Sequence, residues 1–134
     1  MVTVGPLKLK VQLFCGDRHA MGPGKADLLE AIEQEGSVPA AGRAMGMSYR
    51  KCRLLVDRMN HTWTGPLVEA NGAGARLTDL GRDVLAGFRA VEAQMREAVA
   101  ADQHLSSLLQ RLLAAPRPAA GRQRLKAAGA ADGG

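Results

Sequence analysis

The 134-residue sequence contains few aromatic residues: one Trp, one Tyr and two Phe. A core with so few rings must consist mainly of Leu, Val, Ala and Met side chains, and a chain of this length can enclose one such core but not two. The sequence has no apolar run of about eighteen residues, as a membrane-spanning helix requires, and its first residues lack the apolar segment of a secretory signal. We therefore expect a single cytoplasmic domain that does not enter a membrane.

Cysteine is also scarce. The two residues of this type, Cys15 and Cys52, form no CxxC pair, so neither a disulfide framework nor a cysteine-rich zinc site is expected. The three histidines share no ligand-like spacing, and the sequence lacks the GxSxG, P-loop and HExxH patterns. We predict that the protein is not an enzyme and that it binds no metal or other cofactor.

Positive charge is concentrated in two segments. The chain carries a net charge of +5. Residues 36–78 carry six basic and two acidic groups, a net +4, and residues 116–134 carry four and one, a net +3. The segments 1–35 and 79–115 each carry a net charge of −1. This distribution predicts a surface that binds a polyanion.

The first half of the chain predicts one strand and two helices. Residues Leu7–Phe14 alternate between apolar and polar, as in a half-buried strand, and a Gly/Pro-rich loop follows. Residues 25–35 place their apolar side chains on one helical face. Ser37 is expected to cap a short helix, Val38–Met45, that is rich in Ala and Gly. Gly46 ends this helix in a tight turn.

A third helix is expected to start after Ser48 and to run to about Trp63. One of its faces is apolar and predicted to be buried; it comprises Cys52, Leu55, Val56, Met59 and Trp63. The opposite face is predicted to be exposed; it comprises Arg50, Lys51, Arg53, Leu54 and Arg58. A short helix, a glycine turn and a second helix with a basic outer face are typical of a helix-turn-helix.

The remaining elements are a hairpin and a long helix. Leu67–Ala70 and Ala75–Thr78 are predicted strands joined by "NGAG", and Thr78 caps a helix over residues 79–113. The order of elements predicts a mainly α, winged helix-turn-helix domain over residues 1–115. Residues 116–134 are rich in Pro, Gly and Ala and are predicted to be a disordered basic tail.

Apolar residues recur in the long helix at alternating spacings of four and three, as in a coiled-coil seam. The residues of this predicted seam are Val84, Phe88, Val91, Met95, Leu105 and Leu109. Asp102 interrupts the pattern, and a bend is predicted there. The helix could fold back on its own domain, but we favour a homodimer because the face is too long for one small domain to cover.

A winged helix-turn-helix inserts the start of its third helix into the major groove of double-stranded DNA. On this interpretation Arg50 and Arg53 contact base edges and Leu54 meets a thymine methyl group. Other candidate contacts lie at helix ends, on the flanks of the third helix or in the hairpin: Ser37, Arg43, Ser48, Tyr49, Lys51, Arg58, Asn71 and Arg76. A winged-helix module that binds protein is the alternative, and it would predict an apolar third-helix face.

Four segments carry a family resemblance: "GPG" before the first helix, "GSVPAAGRAMGMSY" across the turn, "LVDRMN" at the end of the third helix, and "GARLTDLGRDVL" after the hairpin. They resemble the N-terminal DNA-binding domain of the ModE-type molybdate-responsive transcription regulators, over about residues 7–99. LysR-type regulators share a looser version of this scheme and are an alternative. The resemblance implies a sequence-specific regulator that binds an inverted repeat as a homodimer, with molybdenum-related genes as its candidate targets.

The sequence departs from this family in several respects. Members usually have Ala and Trp where this chain has Cys52 and Arg53, and their hairpin loops are often longer than "NGAG". Full-length members also carry C-terminal Mop-type domains that bind molybdate, whereas nineteen residues follow Ala115 here. We therefore expect no molybdate binding within this chain.

Overall fold

The computed structural model describes residues 1–112. The predicted basic tail and residue 113, at the end of the predicted long helix, lie outside this range. Residues 1–112 form three two-stranded antiparallel sheets and five helices. In chain order they are β1 Val2–Val4, β2 Leu7–Leu9, β3 Leu13–Cys15, β4 Arg18–Met21, α1 Pro23–Glu35, α2 Val38–Ala44, α3 Tyr49–Asn60, β5 Val68–Asn71, β6 Gly74–Leu77, α4 Asp79–Ala101 and α5 Gln103–Leu109. No helix among them is both long and apolar enough to cross a membrane.

The N-terminal segment differs from its prediction. The single strand expected over Leu7–Phe14 is wrong, because these residues belong to two hairpins, β1–β2 and β3–β4. Strand β4 lies where a loop was expected, and α1 begins at Pro23, two residues earlier than predicted. Proline is favoured at the first position of a helix because its missing N–H has no intrahelical partner there.

A network of charged side chains joins α1, α4 and the N-terminus. Arg89 of α4 donates to Asp27 Oδ1 (2.6 Å) and Glu30 Oε1 (2.7 Å) of α1, and to Glu92 Oε1 (2.8 Å). The amino group of Met1 lies 2.7 Å from Glu92 Oε2. Burial disfavours the charged form of Glu92, but the hydrogen bonds from the amino group and from Arg89 outweigh this effect and hold the pKa of the carboxyl below its ordinary value. The network fixes α4 against α1.

The main core lies between α1, α2, α3, β5–β6 and the first half of α4. Its largest fully buried side chains are Met21, Leu28, Leu29, Ile32, Cys52, Met59, Leu67 and Leu77, with Phe88 2% exposed. The predicted inner face of the third helix is confirmed: Cys52, Val56 and Met59 are buried, while Leu55 and Trp63 are partly buried against the same core. This core holds the outer face of α3 towards solvent.

The predicted long helix is two helices. α4 ends at Ala101, where Asp102 adopts an extended conformation (ψ 111°) and its Oδ1 accepts a hydrogen bond from the N–H of Leu105 at 2.7 Å. Asp102 therefore caps α5, and the predicted bend is confirmed. The structure also differs at Phe88, which was assigned to the predicted seam but lies in the core of its own chain. Val84 is partly buried against the same core.

The hairpin β5–β6, which we call the wing, packs on the end of α1. The N–H of Ala75 donates to the carbonyl of Gly36 (2.8 Å), and the N–H of Leu77 donates to Glu33 Oε2 (3.1 Å). The strands begin or end within one residue of their predicted bounds. Three helices followed by a small antiparallel hairpin are in the order predicted from the sequence for a winged helix-turn-helix.

Candidate nucleic-acid interface

The crossing of α2 and α3 depends on small residues. Ser37 caps α2 by accepting a hydrogen bond from the N–H of Ala40 at 3.1 Å. A Cβ atom added at Gly42 would lie 3.2 Å from the carbonyl oxygen of Met47 and 3.5 Å from Cys52 Cβ. The two helices therefore approach closely at Gly42, and a larger side chain would push α3 away from α2.

The turn between the helices is made by Gly46, whose φ of 65° is a left-handed conformation that glycine adopts without steric cost. The N–H of Met47 returns to the carbonyl of Gly42 at 2.8 Å. Met45 and Met47 flank the turn and are partly buried against the core. These contacts fix the direction in which α3 leaves the turn.

The start of α3 has the geometry of an anion-binding helix terminus. Ser48 Oγ accepts a hydrogen bond from the N–H of Lys51 at 3.1 Å. The other N–H groups of the first turn have no intrahelical acceptor. Such groups, together with the helix dipole, can bind a phosphate oxygen.

The outer faces of α2 and α3 carry most of the predicted cationic contacts. The exposed cations on these helices are Arg43, Arg50, Lys51, Arg53 and Arg58. Leu54 lies among them with 49% of its surface exposed. Asp57 is the acidic residue of α3, and it lies two turns beyond the start of the helix. The first two turns therefore present cations, the Tyr49 ring and the Leu54 side chain to solvent.

Arg53 is held in place by Tyr49. Its Nη1 donates to Tyr49 Oη at 3.1 Å, and its guanidinium carbon lies 6.0 Å from the centre of the tyrosine ring. This hydrogen bond and the negative charge of nearby Asp57 raise the pKa of Arg53 above its ordinary value. Both side chains line a groove of about 300 Å³ between α2, α3 and the wing, together with Ser37 and Asn71.

The two predicted contacts of the wing lie in different surroundings. Asn71 lines the groove beside Arg53, and its Oδ1 accepts a hydrogen bond from the N–H of Ala73 at 2.7 Å, which fixes the tip. Arg76 is directly opposite Glu69 in the strand pair and contacts its Oε2 at 3.4 Å. The charge of Arg76 is therefore partly compensated, and its side chain does not line that groove.

Asn60, the last residue of α3, is a positioning residue that the sequence interpretation missed. Its Oδ1 accepts hydrogen bonds from the N–H groups of Leu67 (2.9 Å) and Val68 (3.0 Å), and its Nδ2 donates to the carbonyl of Val68 (3.0 Å). One side chain thus satisfies three backbone groups where the wing begins. The only sequence signal was an Asn at the end of "LVDRMN", before a Gly-Pro turn. Asn60 sets the wing at a fixed distance from α3.

Other chemistry is not supported by the described residues. No group of three or more His, Cys, Asp or Glu side chains within residues 1–112 could hold a metal ion. Burial raises the pKa of the Cys52 thiol, whose Sγ lies 3.5 Å from the carbonyl oxygen of Val38. Cys52 is therefore a core residue with little thiolate character.

Known proteins resemble part of this chain. No family model matches it. It is 36% identical over 85 residues to the molybdenum transport protein ModE of Azotobacter vinelandii, an alignment that covers 60% of this chain and 32% of that protein. It is 34% identical over 99 residues to the molybdenum-pterin-binding protein MopA of Rhodobacter capsulatus, covering 70% of this chain and 37% of MopA. The chain is thus similar over part of its length to a ModE protein, as predicted, and also to a molybdenum-pterin-binding protein, which was not predicted.

This chain spans about a third of the length of these relatives, and neither of their names denotes an enzyme. Among solved structures, the CbnR_DBD–DNA complex aligns with a TM-score of 0.46 and 20% sequence identity. That alignment covers 59% of this chain and 97% of the other.

Proposed function

We propose that this protein is a DNA-binding transcription regulator of the ModE type, and that α3 enters the major groove of double-stranded DNA. The observation that carries this proposal is the exposed basic face of α3, held outward by the Gly46 turn and by the core behind Cys52, Val56 and Met59. A module that binds protein through the same helix would need an apolar face there.

The proposed contacts divide into two groups. Arg50, Arg53 and Leu54 lie on the first two turns of α3 and are proposed to meet base edges. The remaining residues are proposed to meet the sugar-phosphate backbone or the minor groove: Ser37, Arg43, Ser48, Tyr49, Lys51, Arg58, Asn71 and Arg76. The names of the relatives support a further step, that the regulated genes concern molybdenum.

Binding to duplex DNA at two salt concentrations tests the function. If about five phosphates are contacted, the logarithm of the binding constant should fall with a slope of about −4 to −5 against the logarithm of the salt concentration, or several-hundred-fold between roughly 50 and 200 mM. Filter binding or fluorescence anisotropy would measure this. A suitable control is Arg82→Ala, because Arg82 lies on α4 and pairs with Asp79 and Glu33. Failure to bind any duplex at low salt would refute the proposal.

We also propose that the protein binds an inverted repeat as a homodimer through one face of α4 and α5. Val91 is 41% exposed and Leu108 is 43% exposed, while Met95, Leu105 and Leu109 are half-buried. These apolar side chains continue along the molecule beyond the part of α4 that packs on its own core. A second copy of the chain would remove them from water.

Replacing Val91 and Met95 together with Glu should convert the dimer to monomers, because two carboxylates would be forced into the apolar contact. Light scattering at micromolar concentration would give the mass, and circular dichroism would show that the helices are retained. The matched control is Ala93→Glu, which adds a charge to an exposed site on the other side of α4. A wild-type protein that is already monomeric at these concentrations would contradict the proposed dimer.

A further inference from the structure

A basic cavity lies away from the wing, where the β3–β4 hairpin, the start of α1 and the end of α3 meet. Its volume is about 370 Å³, and it is lined by Arg18, His19, Lys25, Arg58, His61 and Thr62. Three of these side chains are ordinarily cationic, two are imidazoles, and none of the described residues that line the cavity is Asp or Glu. Such a concentration of one sign of charge in a concave surface favours an anionic ligand.

Lys25 is the most buried of these cations. It is 8% exposed, and its Nζ donates to the backbone carbonyl of His19 at 3.1 Å. Within residues 1–112 its ammonium group has no carboxylate at ion-pair distance. Burial, and secondarily the charge of Arg58, lowers the pKa of Lys25. A buried ammonium group is costly unless an opposite charge lies beside it, and a bound anion would supply that charge.

Within residues 1–112 the two arginines of the cavity also have no acidic partner. Arg18 contacts the backbone carbonyl of His61 at 3.4 Å, and neither Arg18 nor Arg58 forms an ion pair in the part of the chain that the structure describes. Other arginines of this chain do pair: Arg82 and Arg89 each contact two or more carboxylates. What distinguishes this region is that three cations without an ion pair within residues 1–112 line the same cavity.

The start of α1 adds to the positive potential. Lys25 is in the first turn of this helix, and Gly22 at its N-cap provides no side-chain acceptor for the first N–H groups. The dipole of a thirteen-residue helix places partial positive charge at this end. The helix dipole and the three cationic side chains therefore all favour a negatively charged ligand.

We propose that this cavity binds a phosphate-like oxyanion, with Arg18 and Lys25 donating hydrogen bonds to its oxygens and Arg58 adding a third positive charge. Guanidinium and ammonium groups are the side chains that most often bind tetrahedral oxyanions, arginine in a two-pronged arrangement and lysine as a point charge. The cavity shares Arg58 with the proposed DNA contacts, whereas Arg18 and Lys25 belong to the cavity alone.

The phosphate group bound in the cavity could be a free anion or part of the backbone of bound DNA. Arg58 lies in the last turn of α3, eight residues beyond Arg50, and at 1.5 Å per residue this is roughly 12 Å along the helix. The cavity therefore lies at the opposite end of α3 from Arg50, where a DNA phosphate that flanks the base contacts is the second candidate ligand. The experiment needs one arm for each source.

In the first arm, phosphate, sulfate and molybdate are titrated against chloride at matched ionic strength, with calorimetry and thermal unfolding as readouts. We expect saturable binding and a concentration-dependent rise in melting temperature. Arg18→Ala should weaken binding about tenfold or more, because a charged hydrogen bond is lost. Lys25→Met keeps the apolar stem, removes the buried charge and should have the same effect. Arg96→Ala removes an exposed arginine outside the cavity and should change nothing.

In the second arm, duplex DNA is titrated with the same variants. One outcome is that free anions do not bind, while Arg18→Ala and Lys25→Met weaken duplex binding more than Arg96→Ala does. This result would support the proposed site and identify its ligand as a phosphate of the DNA backbone. If Arg18→Ala and Lys25→Met bind both free anions and duplex DNA with the same affinity as Arg96→Ala, the proposal is wrong. Saturable molybdate binding that requires Arg18 would also correct the expectation that this chain binds no molybdate, because that expectation considered only Mop-type domains.

Discussion

Replacing Arg50 with Ala is expected to weaken binding to the specific duplex by about 1–3 kcal/mol and to relax specificity at one base pair. Arg50 is exposed on the first turn of α3 and forms no ion pair within residues 1–112. Its guanidinium is therefore available for a two-pronged contact with guanine, which is the commonest specific contact of arginine in the major groove.

Arg53→Ala should weaken binding to the specific duplex by a similar amount. Because Tyr49 orients Arg53, a change at Tyr49 also tests the geometry of this contact. Tyr49→Phe removes the 3.1 Å hydrogen bond and keeps the ring, so it should weaken specific binding less than Arg53→Ala does. If the two variants lose equal affinity, the expectation that Arg53 contributes to binding without the tyrosine hydroxyl is wrong.

Binding should be measured on the specific duplex, obtained by selection from random sequences, and on a scrambled duplex at the same salt concentration. Lys51→Ala is the control from the same helix turn. It should weaken binding to both duplexes alike and reduce the dependence of the logarithm of the binding constant on the logarithm of the salt concentration by about one unit. Equal losses on both duplexes for Arg50→Ala and Arg53→Ala would make these residues phosphate contacts. No loss on either duplex would refute the assignment of α3 as the recognition helix.

Local signals in the sequence were sufficient to predict α1, α2, α3 and the wing. Ser37 and Ser48 both cap the helices that follow them, and Gly46 makes the turn. These features depend on a few neighbouring residues, so one sequence contains what is needed to recognise them. The inner and outer faces of α3 followed from helical periodicity for the same reason.

Other features depend on contacts that periodicity does not encode. The strands β1, β2 and β3 have three residues each, too few for alternation to separate two hairpins from one longer strand. The spacing of Val84, Phe88 and Val91 is the same whether the helix packs on its own core or on a partner, and the structure divides these residues: Phe88 is buried and Val91 is exposed. The basic cavity combines residues from three separate segments, which no local pattern reveals.

The junction between the wing and α4 shows a similar dependence on a distant contact. The carbonyl of Leu67, just before the wing, accepts a hydrogen bond from the N–H of Thr78 at 2.9 Å. Thr78 Oγ1 donates to the carbonyl of Pro66 (2.7 Å) and accepts from the N–H of Gly81 (2.9 Å). This small network fixes the start of α4 against the strand that leads into the wing.

Gly81→Ala should therefore destabilise the protein. A Cβ atom at this residue would lie 2.1 Å from the carbonyl oxygen of Leu67, and relief of that overlap requires movement of buried backbone. We expect the free energy of unfolding to fall by about 1–3 kcal/mol, as in other overpacked cores. Gly87→Ala is the matched control on the same helix: its Cβ would have no neighbour within 4 Å, so alanine should raise the free energy of unfolding by about 0.5–1 kcal/mol. Urea denaturation would measure both, and equal changes in the two variants would show that the contact with Leu67 does not require glycine.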